Sequence, residues 1–235
     1  MLKELQLKTK KLANPAKAKI LSGFFKIGVG QYGAGDKFLG IVMPVTRQLA
    51  KEFKDLSMSD LQMLIKSEYH EERMLALLIL VLQYEKGEAK KQSRIYNFYL
   101  KNTRYINNWD LVDLTADHII GAYLEKKDKS ILTKLAKSNS LWERRITMLA
   151  CFHYIKHGKS EEAFKIINLL LHDEHDLIQK AVGWMLREVG KRCSVNVLEE
   201  FLEKHAATMP RTALRYAIEH MSDEKRKYFM QIKKK

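Results

Sequence analysis

The chain has only two cysteines, Cys151 and Cys193, and no C-x-x-C pair among its 235 residues. That excludes a disulfide framework and points to a reducing, cytoplasmic setting. It has three prolines, and strand signals are nearly absent. The N-terminal "MLKELQLKTKK" is basic and lacks the apolar core of a signal peptide. The longest uncharged apolar run, "MLALLILVLQY" at Met74–Tyr84, is too short to cross a bilayer and reads as a buried helix. No membrane role is expected. Acids are also in deficit: 28 Asp and Glu stand against 42 Lys and Arg, giving a net charge of +14. The excess is spread, +6 over residues 1–118 and +8 over the rest, so it is not a basic tail. An even basic surface suits a polyanion such as nucleic acid.

What the chain does have is apolar residues at helical spacing. Hydrophobic residues make up 46% of it, enough for a sizeable core. Helix starts are frequent: Asn14-Pro15, Pro44, "SMSD" at Ser57–Asp60, "SLWE" at Ser140–Glu143, then Ser160, Asp176 and Pro210. Between them the pattern predicts helix pairs at 58–66 with 69–85, 88–103 with 108–125, 128–137 with 140–156, 160–171 with 175–190, and 194–205 with 210–220. The second helices recur about every 35 residues, the period of a helical repeat. A lone pair cannot bury its stripe, whereas stacked pairs can. The expected fold is therefore all-α: one domain over residues 1–235, an α-α superhelix with a concave binding face.

One segment breaks the pattern. "GVGQYGAGDKFLG", Gly28–Gly40, matches G-x-G-x-x-G through Gly28, Gly30 and Gly33. A dinucleotide site needs a strand before this motif and a helix directly after it. Here a helix precedes and a long loop follows, so the segment reads as a flexible connection, or as a loop reaching a ligand. His153 and His157 stand one helical turn apart with no third metal ligand evident in the sequence. "HDEHD" at His172–Asp176 reads as a polar turn. Cys151 reads as a core thiol. Neither a metal nor a nucleotide cofactor is expected.

The tryptophans carry more. Each of Trp109, Trp142 and Trp184 falls in the second helix of its pair; Trp142, in a first turn, reads as packing. Trp109 has Asp113 one turn on. Trp184 has Lys180 and Arg187 at i−4 and i+3, company unusual for a buried stripe. Trp109, Arg145 and Trp184 are expected along one wall. An arginine can hold a phosphate, and indoles can pack on deoxyribose or bases. A carboxylate would repel DNA unless it opposed a positive charge developing on the sugar, as in cleavage of an N-glycosidic bond. Asp110 is expected to serve the helix N-terminus.

The motifs "YGAGDKFLGIVMP" (Tyr32–Pro44) followed by Arg47, "NNWDLVD" (Asn107–Asp113), "LWERRITML" (Leu141–Leu149) and "LIQKAVGWMLREVGK" (Leu177–Lys191) resemble those of the AlkD-type DNA alkylation-repair glycosylases, built of HEAT-like repeats. The resemblance spans nearly the whole chain. It implies removal of N3- and N7-alkylated purines from double-stranded DNA, without a metal and without flipping the base; a monomer is expected. It places the catalytic aspartate on Asp113, the flanking tryptophans on Trp109 and Trp184, and the backbone-holding arginine on Arg145. Arg144, Lys180 and Arg187 are further candidates for DNA contact. The competing expectations are a non-catalytic helical-repeat module that binds nucleic acid, and a protein-binding scaffold.

Overall fold

The computed structural model describes residues 1–232. Every regular element among them is helical; the nearest thing to a sheet is one isolated bridge between Lys37 and Tyr69. No helix among the described residues is long and apolar enough to cross a membrane. The chain divides into two compact units, Met1–Thr115 and Ala116–Lys235.

In the first unit, α1 (Leu2–Lys11) and α2 (Pro15–Phe24) lead into a long connection, followed by α3 (Met43–Glu52), α4 (Met58–Leu64), α5 (His70–Glu85), α6 (Ala89–Lys101) and α7 (Trp109–Asp113). The caps read from sequence form as expected. Asn14 accepts from the Lys17 amide and Ser57 from that of Asp60, and Pro44 lies in the first turn of α3. Helix α5 is the spine of this unit. Leu75, Ala76, Leu77, Ile79 and Leu80 are fully buried, so the apolar run is a core helix.

In the second unit, a π-helical turn (Asp117–Gly121) precedes α8 (Ala122–Leu124). Then come α9 (Ser130–Ala136), α10 (Leu141–Ala150), α11 (Phe152–Lys156), α12 (Glu161–Leu170), α13 (Asp176–Arg192), α14 (Val195–His205), α15 (Arg211–Ala217) and α16 (Asp223–Gln231). Here the helical repeat shows itself in two matching close approaches. A Cβ on Gly121 would lie 2.3 Å from the Ala150 carbonyl oxygen and 2.6 Å from the His153 Cβ. A Cβ on Gly183 would lie 2.3 Å from the Ala213 carbonyl oxygen and 2.6 Å from the Tyr216 Cβ. Both glycines let a helix of one pair press against a helix of the next.

Two expected helices are broken. The span 108–125 stops at Asp113 and resumes as the π turn. The span 140–156 is interrupted at Cys151. A π turn inserts one extra residue per turn and is rare, occurring mostly as a single-turn bulge within a helix. Gly121, with its close approach to the Ala150 carbonyl oxygen, lies at the end of this one. Periodicity alone could not reveal either break, because the apolar stripe continues on both sides.

Candidate functional site

Helix α7 is five residues long, and its burial divides cleanly. Asp110, Leu111 and Val112 are buried, while Trp109 and Asp113, at its two ends, are half-buried. Residues four apart share a helix face, so the tryptophan and the carboxylate form the less buried side of α7. Asn108 caps the helix, its Oδ1 accepting from the Trp109 amide at 2.9 Å.

The indole is braced from behind. Trp109 stacks on Phe25 with centroids 5.3 Å apart and meets Phe24 edge-on at 5.7 Å. Phe25 in turn stacks on Phe38 and packs on the His70 ring at 4.8 Å. Phe24 is 62% exposed, whereas Phe25 is buried. A stack of this kind fixes the ring plane as well as burying area.

His70 opens a buried polar network. Its Nε2 lies 2.8 Å from Asp110 Oδ2, and its Nδ1 faces Asp36 Oδ2 at 3.5 Å. Burial works against a charged imidazole, but Asp110 and Asp36 outweigh it and hold the ring at about 9. At neutral pH it is an imidazolium between two carboxylates. Asp36 also accepts from Arg73 at 2.7 Å, from Asn107 at 3.2 Å and from Asn108 at 3.3 Å. Burial opposes ionisation of Asp36 too, yet His70 and Arg73 hold its carboxyl below the usual range. The glycine-rich connection is thus bonded through Asp36 to α5 and to the residues leading into α7.

That corrects the reading of Gly28–Gly40 as a flexible connection. Its second half is tied down. The Lys37 amide donates to the Glu68 carbonyl, and the Lys37 carbonyl accepts from the His70 amide. The buried Glu71 carboxylate accepts from the amides of Leu39, Gly40 and Ile41 at 2.8–3.2 Å. Gly40 has φ +81, and a Cβ there would lie 2.2 Å from the Asn14 carbonyl oxygen. Asp110 is likewise more than a helix-terminus charge: besides accepting from the Leu111 amide, it is the partner of His70.

In the second unit, Trp184 is half-buried on α13 and packs against Phe152 at 5.8 Å. Lys156 and Arg192 lie over the same Phe152 ring, at 5.0 and 5.3 Å. Lys180 pairs with Asp176 at 2.9 Å, and Arg187 pairs with Glu219. Arg145 is 5% exposed, and its guanidinium donates to the Leu177 carbonyl. Arg144 is held by Asp173 at 2.7 Å and by the carbonyls of Ser138 and Asn139. Asp173 lies in the "HDEHD" turn, so that segment serves as an anchor for Arg144. Asp117 is buried and paired with Lys156 at 2.5 Å. Cys151 is buried, and burial pushes its thiol far above the ordinary range, as a core thiol requires.

The model of a family described as DNA alkylation repair enzyme matches residues 5–221. The chain belongs to that family. No protein of curated function matches it. A predicted DNA alkylation repair enzyme from Enterococcus faecalis has a similar fold. Its TM-score is 0.68 at 19% identity, over 90% of this chain and 97% of that one. AlkD2 from Streptococcus mutans is similar with a TM-score of 0.54 at 17% identity, over 87% of this chain and 97% of that one. At those identities the likeness speaks for the fold, an all-α helical-repeat architecture.

For this alkylation-repair family member, sequence reasoning missed His70, Arg73 and Asp36. The first two sit at the start of α5, where they read as the polar entrance to an apolar helix. Asp36 lay in a loop taken for a connection. Only the fold brings these residues to Asn107, Asn108 and Asp110. His153 and His157 also gain a neighbour that the sequence did not reveal, Glu125, whose Oε2 lies 3.2 Å from His153 Nε2.

Proposed function

We propose that this DNA alkylation repair enzyme is a glycosylase that hydrolyses the N-glycosidic bond of N3- and N7-alkylated purines in duplex DNA. The observation that carries the reading is the less buried side of α7. One indole and one carboxylate, both half-buried, share one side of a helix whose buried residues are locked by the His70 network. Preorganised charge of this kind stabilises a transition state most effectively.

An alkylated N3 or N7 makes the purine cationic, so the base departs neutral with the bonding electron pair and needs no general acid. As the C1′–N bond lengthens, positive charge moves to the sugar. Asp113 opposes that charge and orients the water that adds to C1′. The proton released by this water passes to the carboxylate or to solvent, and an abasic site remains. Trp109 packs on the deoxyribose beside the lesion. The resemblance assigns the same packing role to Trp184 and the phosphate contact to Arg145, whose buried guanidinium must leave the Leu177 carbonyl to make it. In that scheme Arg144, Lys180 and Arg187 add backbone contacts by exchanging their protein carboxylates for phosphates. The resemblance also implies that the lesion is processed without base flipping, and in this reading the protein acts as a monomer in the cytoplasm.

Residues 1–235 act in this proposal as one functional domain, supported by a family match that spans both compact units. Incubation with N-methylated duplex DNA, followed by chromatography of free bases, tests the reading. Release of 7-methylguanine and 3-methyladenine with matching abasic sites is expected. Salt-sensitive binding without any base release would favour a non-catalytic nucleic-acid-binding module instead.

A further inference from the structure

Glu125, His153 and His157 come together in the second unit, each offering one ligand atom, and these atoms all lie within 4.8 Å of one another. Two imidazoles and a carboxylate suit a borderline first-row cation better than magnesium or calcium, which prefer oxygen ligands alone. A tetrahedral site with ligands at about 2.1 Å needs ligand atoms about 3.4 Å apart. Closing that gap requires rotation of these side chains, of which Glu125 and His153 are partly exposed and His157 is exposed.

The hydrogen bonds around the three groups leave each with an atom for a cation. His157 Nδ1 lies 2.7 Å from the His153 carbonyl oxygen. A carbonyl only accepts, so Nδ1 carries the proton and Nε2 is left with its lone pair for a cation. Metal-bound histidines are commonly fixed in this way by a backbone carbonyl. Glu125 splits its oxygens. Oε1 accepts from Lys159 at 3.1 Å, while Oε2 faces His153 Nε2 at 3.2 Å. The lysine orients the carboxylate and leaves one oxygen for a ligand. Lys156, also on α11, is engaged with Asp117 at 2.5 Å. The His153 and His157 rings lie 4.6 Å apart, on consecutive turns. Gly121 seats His153 by letting the π turn approach its Cβ.

We propose that Glu125, His153 and His157 form a surface binding site for zinc or a similar divalent transition-metal cation. The ligands are Glu125 Oε2, His153 Nε2 and His157 Nε2, with a fourth position open to water. In the metal-free protein the His153 Nε2 proton is donated to Glu125. The cation takes its place, and that proton leaves to solvent or reappears at Nδ1 as the other tautomer. The bound ion joins the segment after α8 to α11, a cross-link between elements 28 residues apart. The site is separate from the glycosylase reading and requires no role for metal in base release.

Calorimetric titration of the chelator-stripped full chain with zinc chloride tests the site, alongside cobalt(II) absorbance as a report of coordination geometry. One equivalent is expected with a dissociation constant on the order of micromolar. Glu125→Gln and His157→Ala each weaken it by about tenfold or more. A rise in thermal midpoint with zinc disappears in both variants. Circular dichroism of these surface variants should match wild type. Absence of stoichiometric binding would overturn the proposal, as would binding that survives both variants or is lost only in Cys193→Ser.

Discussion

Asp110 Oδ2 lies 2.8 Å from His70 Nε2, joining the first residues of α5 to the buried side of α7. The ring is charged in the folded state, where it is held at about 9, and the ordinary value is 6.5. The folded value is raised. Its contribution to stability is therefore complete below about pH 6.5 and is lost as pH rises through 9. The shift corresponds to a contribution on the order of 3 kcal/mol. Chemical-denaturation midpoints should fall between pH 6.5 and 9, and His70→Gln should flatten that decline.

Removing the imidazolium altogether leaves Asp36 and Asp110 buried without their shared cation. His70→Ala is expected to lose about 3–5 kcal/mol, as breaking a buried charged pair does. His70→Gln keeps a donor and should lose less. Urea unfolding of the two variants measures the difference. Equal losses would mean that the charge of His70, which neither variant keeps, matters more than the space it fills or the donor that Gln retains.

Phe25 links Trp109 to His70, so the indole depends on it. Phe25→Ala should cost about 3–5 kcal/mol through the cavity it leaves. Phe25→Leu retains most of the volume but not the stack. It should fold with a smaller loss and show altered Trp109 fluorescence, measured in a Trp142→Phe, Trp184→Phe background. An unchanged spectrum would show that Phe25 does not set the indole's environment.

Gly121→Ala and Gly183→Ala test the repeat packing. Each new methyl meets a backbone carbonyl oxygen at 2.3 Å, which cannot swing aside. Losses of about 1–3 kcal/mol are expected from overpacking. Gly158→Ala, with nothing within 4 Å but φ +74, makes a useful contrast, since its cost is backbone strain alone. Thermal unfolding should show comparable losses at the two packed glycines.

Much of this was legible in the sequence, for reasons that are local. Asn14, Ser57 and Ser140 announce helix starts because a cap is a contact within three residues. Trp109 and Asp113 could be placed on one face because a single turn joins them. The His70 network was not legible. Its partners are separated by 37 residues for Asp36 and Arg73, 40 for His70 and Asp110, and 72 for Asp36 and Asn108. Glu125 and His153 were hidden likewise, and the buried Arg145 finds a partner in the Leu177 carbonyl, 32 residues away. Local pattern finds faces and ends of helices, whereas only tertiary packing brings distant charges into one buried cluster.

The central claim is that the Asp113 carboxylate opposes the charge that forms on the sugar. Single-turnover release of 7-methylguanine from duplex DNA by Asp113→Asn measures this most directly, with DNA affinity measured in parallel. The amide keeps the shape and loses the charge. The expected result is wild-type affinity with base release slowed by about a hundredfold or more, the scale seen when one preorganised electrostatic group is removed. Release at the wild-type rate by Asp113→Asn would contradict the account.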